Sequence, residues 1–341
     1  MTGKSDDRAA AAANAAAAAG AEAAAAKATG TDAVDANAAV AAPAPGAAVD
    51  CLAPHPALDA ACYTLPPLAC DTHAHVIGAG PAYPMVSGRS YTPPPASLDA
   101  YLAMLAAQGM QRGVLVQVSV HGTDNRYLVE ALRAHPQGLR GVAVVDPQVS
   151  DRQLQDLHEA GVRGLRINVL FGGGVGFDAM ESLARRIATM GWHLQFLADA
   201  GRFDASLLAR LERLPCPGVI DHMGYIAASA GIASPGFLAL ARLVQEAGFW
   251  VKLSGAYRLS RADPDFADVT AMARRLIELA PDRTLWGSDW PHVDLQRMPN
   301  TGRLRNALAA WAPDADSRRR ILVDNPARLY GFAAGAPGLP A

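Results

Sequence analysis

From Leu68 the chain alternates short β-rich runs with amphipathic helical stretches, and it completes eight such units before residue 332. The runs that read as strands are Ala69 to Val76, Gly113 to Val118, Gly141 to Val145, Gly164 to Val169, His193 to Ala198, Gly218 to Asp221, Trp250 to Ser254 and Thr284 to Gly287. Helical stretches fall near Leu98 to Gln108, Asn125 to Ala134, Asp151 to Glu159, Asp178 to Met190, Asp204 to Leu214, Pro235 to Ala247 and Asp268 to Leu279, with another at Gly302 to Trp311. A helix between two strands carries the chain back over the sheet, so successive strands run parallel. Eight βα units in one α/β domain predict a closed TIM-type (β/α)8 barrel over residues 67–333 better than an open doubly wound sheet. No Gly-x-Gly-x-x-Gly opens the first helix, which removes the main argument for a dinucleotide fold. The Gly172 to Gly174 run after the fourth strand reads as a flexible loop.

Residues 1–66 have another character, with alanine dominant, scattered Gly, Asp and Pro, and few large apolar side chains. Alanine favours helix, but nothing bulky is available to bury, so a poorly ordered extension is expected there. A flexible tail is expected over residues 334–341.

The formal net charge is −2 and the pI is near 6.5. That balance makes no electrostatic case for nucleic acid or an anionic membrane surface. No apolar run other than alanine reaches the roughly 18 residues that a membrane span needs. Cys51, Cys62, Cys70 and Cys216 show no Cys-x-x-Cys spacing, so neither a disulfide framework nor a thiolate zinc site is suggested. A cytoplasmic protein with a small-molecule partner is expected, as a monomer or a homodimer.

A barrel opens the C-terminal ends of its strands onto one face, where sites are built. Asp71-Thr-His73-Ala-His75 ends the first strand. Alternate residues of a strand share a face, so His73 and His75 form one wall, close enough to share a metal ion or a substrate carbonyl. Gly218-Val-Ile-Asp-His222-Met-Gly224 and Thr284-Leu-Trp-Gly-Ser-Asp289-Trp-Pro-His292 end the sixth and eighth strands in the same kind of chemistry. Ser119 and His121 follow the second strand, Arg166 and Asn168 end the fourth, and Arg258 lies just past the seventh. His193 starts its strand and belongs at the opposite face, while His55, His135 and His158 are expected in solvent. Asp289 is the one carboxylate that ends a strand beside a second polar group, His292, which makes it the candidate base. The competing reading of Asp289 is a helix N-cap.

These motifs resemble the amidohydrolase superfamily, in its amidohydrolase-2 branch, and within it the group of pyrone-dicarboxylate lactonases and sulfomuconolactone hydrolases. The likeness covers about residues 68–332 and includes His121-Gly-Thr-Asp-Asn-Arg126, Ala160-Gly-Val-Arg-Gly-Leu-Arg166 and Asp324-Asn-Pro-x-Arg-Leu-Tyr330. The resemblance implies that Asp289 activates water while His73, His75 and His222 surround a scissile carbonyl. It also implies that Tyr91, in the loop after the first strand, contacts substrate. Ester hydrolysis asks independently for a base, an electrophile at the oxyanion and a group to hold the acid end of the substrate.

Two forks stay open in the sequence. His73, His75, His222 and Asp289 would satisfy one divalent metal, with zinc possible, yet no bridging residue for a second metal is visible, and a site with no metal or one weakly bound metal is expected. Arg166 and Arg258 can each clamp a carboxylate. The lactonases carry further basic residues where this chain has Phe171-Gly-Gly-Gly174 and Tyr225, so a substrate with fewer carboxylates, or one stacked on Tyr225, is expected. The reading is a lactone hydrolase; a zinc-dependent decarboxylase of the same branch is the nearer alternative and a non-catalytic barrel the further one.

Overall fold

The computed structural model describes residues 48–333 and 338–339. The expectations for residues 1–47, and for most of the tail from residue 334, lie outside the described residues. Eight parallel strands pair in sequence order: β1 Cys70–Ala74, β2 Arg112–Val116, β3 Leu139–Ala143, β4 Val162–Asn168, β5 His193–Leu197, β6 Gly218–Ile220, β7 Trp250–Leu253 and β8 Thr284–Trp286. The circle is closed just past β8, where the Asp289 N–H donates to the His73 carbonyl and the His75 N–H to the Trp290 carbonyl, both at 2.8 Å. The fold is the expected (β/α)8 barrel, and its seam runs through the residues singled out as its site.

Outside the strands lie α1 Leu98–Gln108, α2 Arg126–Ala134, α3 Asp151–Ala160, α4 Met180–Ala188, α5 Ala205–Leu211, α6 Pro235–Gln245, a short α7 Ala256–Leu259, α8 Thr270–Leu279 and α9 Thr301–Trp311. Their starts are set by side chains that satisfy the orphan N–H groups of a first turn. Ser97 accepts from Ala100, Asp204 from Leu207, and Ser150 exchanges bonds with Gln153 in a capping box. Gly109 and Gly161 end α1 and α3 in the left-handed conformation that glycine adopts without a Cβ penalty.

Strands alternate faces, and the inner face changes character along the barrel axis. Near the N-terminal ends, Cys70, Val114, Val142, Val219, Trp250 and Leu285 form an apolar cluster, sealed by Tyr330 and Phe332 from the end of the chain. Two residues further along β6 and β7, the inner face carries Asp221 and Lys252, 3.6 Å apart and fully buried. His193 starts β5 in the apolar layer, its ring 5.3 Å from Tyr330, as its position predicted. His158 is half-buried instead of solvated, because the end of α3 packs on the segment entering β5 and its Nδ1 accepts from the Trp192 indole at 3.0 Å.

Residues 48–66, assigned from sequence to the extension, are tied to the barrel by Leu58, Tyr63 and Leu65, which pack against the core, and by polar anchors. Asp59 takes Arg303 at 2.6 Å through its carboxylate and bonds Asn300 and Arg305 through its backbone. Further up, Val49–Asp50 pairs in parallel with Tyr91–Thr92. Among the described residues no helix is long and apolar enough to cross a membrane.

Candidate active site

Asp289 lies at the centre of the mouth, buried, on a left-handed backbone with φ 62°. Its Oδ1 is 3.7 Å from His73 Nε2 and 3.6 Å from His75 Nε2, and its Oδ2 is 3.7 Å from His222 Nε2. Three strand ends therefore converge on one carboxylate. Oδ2 also accepts from the Tyr257 hydroxyl at 2.5 Å and from Arg258 Nε at 3.0 Å. Burial alone would raise this carboxyl, but His222 and the Arg258 guanidinium outweigh it and hold the group well below the usual carboxylate range. The next helix begins only at Thr301, so the N-cap reading of Asp289 does not apply.

Each histidine turns Nδ1 into the protein and Nε2 toward Asp289. His75 Nδ1 lies 2.7 Å from the Val116 carbonyl, an oxygen that only accepts, so Nδ1 carries a proton and the tautomer with a lone pair at Nε2 is the one this bond selects. His222 Nδ1 lies 2.8 Å from the Ser254 hydroxyl. Burial pushes His222 down to about 4 against the opposing pull of Asp289, and pushes His73 well below its ordinary value against that of Asp221. Burial thus disfavours the protonated form of both rings.

His222 begins a run of four left-handed residues, with φ of 49° at His222, 50° at Met223, 71° at Gly224 and 58° at Tyr225. Such backbone persists only where its surroundings over-determine it. Here the ring is pinned by Ser254 and lies flush against Gly255, where an added Cβ would stand 2.9 Å from it.

Behind His73 lies a charged network that the sequence reading missed. Its Nδ1 is 3.1 Å from Asp221 Oδ1 and 3.3 Å from Lys252 Nζ, while Gln195 bonds Lys252 at 2.7 Å and Asp221 at 2.9 Å. Burial pushes Lys252 down to about 8, with Asp221 pulling the other way. Burial would raise Asp221, but His73 and Lys252 hold it well below the usual range. The signal was present: Gln195 and Lys252 interrupt the apolar runs His193-Leu-Gln-Phe-Leu and Trp250-Val-Lys-Leu at inward positions. Tyr257 was passed over although it precedes Arg258. Asp71 joins nothing in the mouth; it accepts from Ser288 and from the His73 N–H and so braces β1 against the β8 loop.

The remaining predicted residues separate into groups. Arg166 is buried; its terminal nitrogens reach the Gln117 carbonyl at 3.4 Å and Asp221 at 3.5 Å, and its buried Nε has no partner among the described residues. Ser119 accepts from Asn168 at 3.0 Å with the Tyr91 hydroxyl beside it, and Tyr91 sets its ring edge-on to Phe171. Tyr225 places its hydroxyl by Arg258. Arg258 was expected to clamp substrate; it is already bonded to Asp289 and, at 2.9 Å, to the Val293 carbonyl. His121 has both ring nitrogens on loop backbone, one at the Pro84 carbonyl and one at the Gly78 N–H, both at 3.2 Å, so the hydrogen-bonding atoms of its ring are taken by the β1 loop. His292 bonds the Thr301 hydroxyl at 2.8 Å and stands edge-on to Tyr257, which puts it behind the carboxylate.

His73, His75 and Asp289 form a buried group whose ligand atoms lie within 4.8 Å of one another. His73 Nε2 is buried without a partner among the described residues, and His75 presents a lone pair, so this donor set fits a divalent ion. A water molecule that donates to two of these atoms fits the same place.

A parallel barrel carrying two histidines at β1, one at β6 and an aspartate after β8 defines a hydrolase of one class. The amidohydrolase family Amidohydro_2 matches residues 70–332, and the chain belongs to that family. Its relatives include a 4-sulfomuconolactone hydrolase from Hydrogenophaga intermedia, 37% identical over 83% of this chain and 95% of that protein. They also include a 2-pyrone-4,6-dicarboxylate hydrolase from Comamonas testosteroni, 39% identical over 79% and 92%. A solved Acinetobacter baumannii structure, described as a probable 2-pyrone-4,6-dicarboxylic acid hydrolase with citric acid bound, superposes with a TM-score of 0.68 at 26% identity, covering 78% of this chain and 100% of that one.

Proposed function

We propose that this protein is a hydrolase that opens a carboxylated lactone or a related cyclic ester. The observation that carries the reading is the Asp289 carboxylate ringed by three imidazole Nε2 atoms at 3.6–3.7 Å. That spacing is too long for direct hydrogen bonds and suits a water or a carbonyl oxygen lodged between the groups.

In the proposed reaction a water donates to Asp289 Oδ1 and to His75 Nε2, which can only accept when the ring is neutral. Asp289 takes the proton as the water oxygen bonds to the carbonyl carbon. His222, which accepts the Ser254 hydroxyl proton at Nδ1, presents N–H at Nε2 to the forming oxyanion. The ring C–O bond then breaks and the leaving oxygen takes the proton back, giving the ring-opened acid. Arg166 supplies the open Nε–H for a substrate carboxylate, and Tyr91, Ser119 and Tyr225 line the same mouth. Arg258 and Tyr257 hold Asp289 ionised and aimed. Of the two arginines at the mouth, Arg166 is the one with an unpartnered Nε and Arg258 is bonded to Asp289, which favours a substrate with fewer carboxylates than the pyrone dicarboxylate.

A divalent metal held by His73, His75 and Asp289, with His222 close by, would supply Lewis acidity to the carbonyl. The site already contains Lys252 against His73 and Arg258 against Asp289, and these charges oppose a further cation, so we favour the metal-free reaction. No observation favours the decarboxylase alternative. The names of the relatives, both hydrolases of acidic cyclic esters, support a role in the breakdown of aromatic compounds, and free cysteines at all four positions accord with a cytoplasmic setting.

The test is hydrolysis of a panel of carboxylated lactones, including 2-pyrone-4,6-dicarboxylate, by the wild type and by Asp289→Asn. Turnover by the wild type that vanishes in the variant supports the proposal; a panel without turnover, or an active variant, overturns it.

A further inference from the structure

Two loops carry opposite halves of the mouth. The β1 loop brings Tyr91, and the β8 loop brings Asp289. A short segment far from both in function, Val49–Cys51, joins them. On one side Val49 and Asp50 pair in register with Tyr91 and Thr92, and the Cys51 N–H donates to the Thr92 carbonyl at 2.9 Å. On the other side the Asp294 N–H donates to the Cys51 thiol sulfur at 3.2 Å. Cys51 is therefore bonded to both loops at once.

The β8 loop needs such support. Three of its non-glycine residues, Asp289, His292 and Asp294, have positive φ, at 62°, 64° and 59°. Conformations of that kind cost of order 1–3 kcal/mol each and are held by neighbours. Asp294 is five residues past Asp289, and Arg258 reaches into the same loop at the Val293 carbonyl. The β1 loop is held at its far side too, where the Gly172 N–H donates to the Ser90 hydroxyl at 2.9 Å. The Val49–Cys51 strand is the brace on the near side. Its attachment to the β1 loop is backbone in character, which lets exposed Val49 and Asp50 vary while the ties remain. The anchors at Asp59, Asn300 and Arg305 keep the segment on the barrel below it.

We propose that Val49–Cys51 is a positioning strap that clamps the β1 and β8 loops together, fixing Tyr91 relative to Asp289, so that the segment preceding the barrel belongs to the active site. Cys51 acts through its neighbours and touches no reacting atom. The kinetic part of this inference rests on the lactonase reading; the structural part does not.

The experiment uses full-length protein. Cys51→Pro removes both the N–H and the thiol acceptor, Cys51→Ala removes only the thiol acceptor, and Ala53→Pro, at an exposed residue outside the ties, controls for a proline in the segment. Hydrogen exchange followed by mass spectrometry reads peptides covering residues 86–92 and 289–294, and thermal unfolding reads the barrel. The expected result for Cys51→Pro is faster exchange in both loops with barrel strands unchanged, and on an accepted lactone a KM raised roughly tenfold with a smaller change in kcat. Cys51→Ala loosens only residues 289–294, and Ala53→Pro matches the wild type. Unchanged exchange in both loops of a folded Cys51→Pro protein overturns the strap, as does an equal effect of Ala53→Pro. A wild type that turns over no lactone defeats the proposed function alone, because the exchange result still decides the strap.

Discussion

The Arg258 guanidinium donates to the Asp289 carboxylate at 3.0 Å, on the oxygen that also receives the Tyr257 hydroxyl. One carboxylate oxygen is thereby fully occupied and the other, Oδ1, is left facing His73 and His75. That division of labour separates holding the base from using it, and it can be tested by removing each part.

Asp289→Asn keeps the shape and removes the basic oxygen. Loss of a general base costs typically 10²–10⁴-fold in rate, and the expected result is a fall of that size in kcat on any lactone the wild type accepts. Steady-state kinetics with a circular dichroism check of folding measures it.

Tyr257→Phe deletes one donor to Oδ2 and leaves Arg258 in place. The expected outcome is a drop in kcat of roughly tenfold, the kinetic equivalent of about 1.4 kcal/mol, with KM nearly unchanged because Tyr257 holds the base and leaves the carboxylate clamp to Arg166. Arg166→Met should do the reverse and act mainly on KM. Equal effects of both variants on KM would contradict these assignments.

Dialysis against a chelator should leave turnover intact, since Lys252 lies 3.3 Å from His73 and Arg258 3.0 Å from Asp289, and both ammonium and guanidinium repel a metal cation. Elemental analysis of the purified protein and activity before and after dialysis check this. Activity lost on dialysis and restored by zinc would make the histidines metal ligands.

His193 links stability to pH. Burial pushes it from an ordinary value of 6.5 down to about 3, so below pH 6.5 the unfolded chain binds a proton that the folded one refuses. Its contribution is fully present above pH 6.5 and is lost progressively as pH falls toward 3, by about 2 kcal/mol at pH 5. His193→Phe should flatten the decline of urea-unfolding free energy between pH 7 and pH 5 by that amount. An identical slope in the variant would show that the proton is taken up elsewhere.

Much of this was legible in the chain because the barrel imposes it. Period-two strands, capped helices and the rule that strand ends face one mouth bring His73, His75, His222 and Asp289 to one region from sequence alone. What stayed hidden depended on side-chain partners. Nothing in the sequence says that Arg258 would turn to Asp289 and away from a substrate, or that His121 would spend both nitrogens on the backbone of its neighbouring loop. Lys252 and Gln195 were visible as polar interruptions of apolar strands, but their partners come from β6 and β1, so only the closed barrel reveals the network. The Ala-rich composition up to residue 66 concealed the short pairing at Val49–Asp50, because a backbone ladder leaves little trace in side-chain pattern.

The left-handed run from His222 to Tyr225 has a consequence for how this enzyme can change. A β-branched side chain is poorly tolerated at a positive φ, so Val, Ile or Thr at Met223 or Tyr225 meets an added backbone penalty before it touches a ligand, whatever it would gain in recognition. Phe171 of the β4 loop and Tyr91 of the β1 loop have no positive φ, whereas a Cβ at Gly172, Gly173 or Gly174 would meet a backbone oxygen at 2.5 Å or closer. Selection for a new substrate, in nature or in a library, should therefore record its changes around Phe171 and Tyr91 and leave the His222 corner as an inherited fixture.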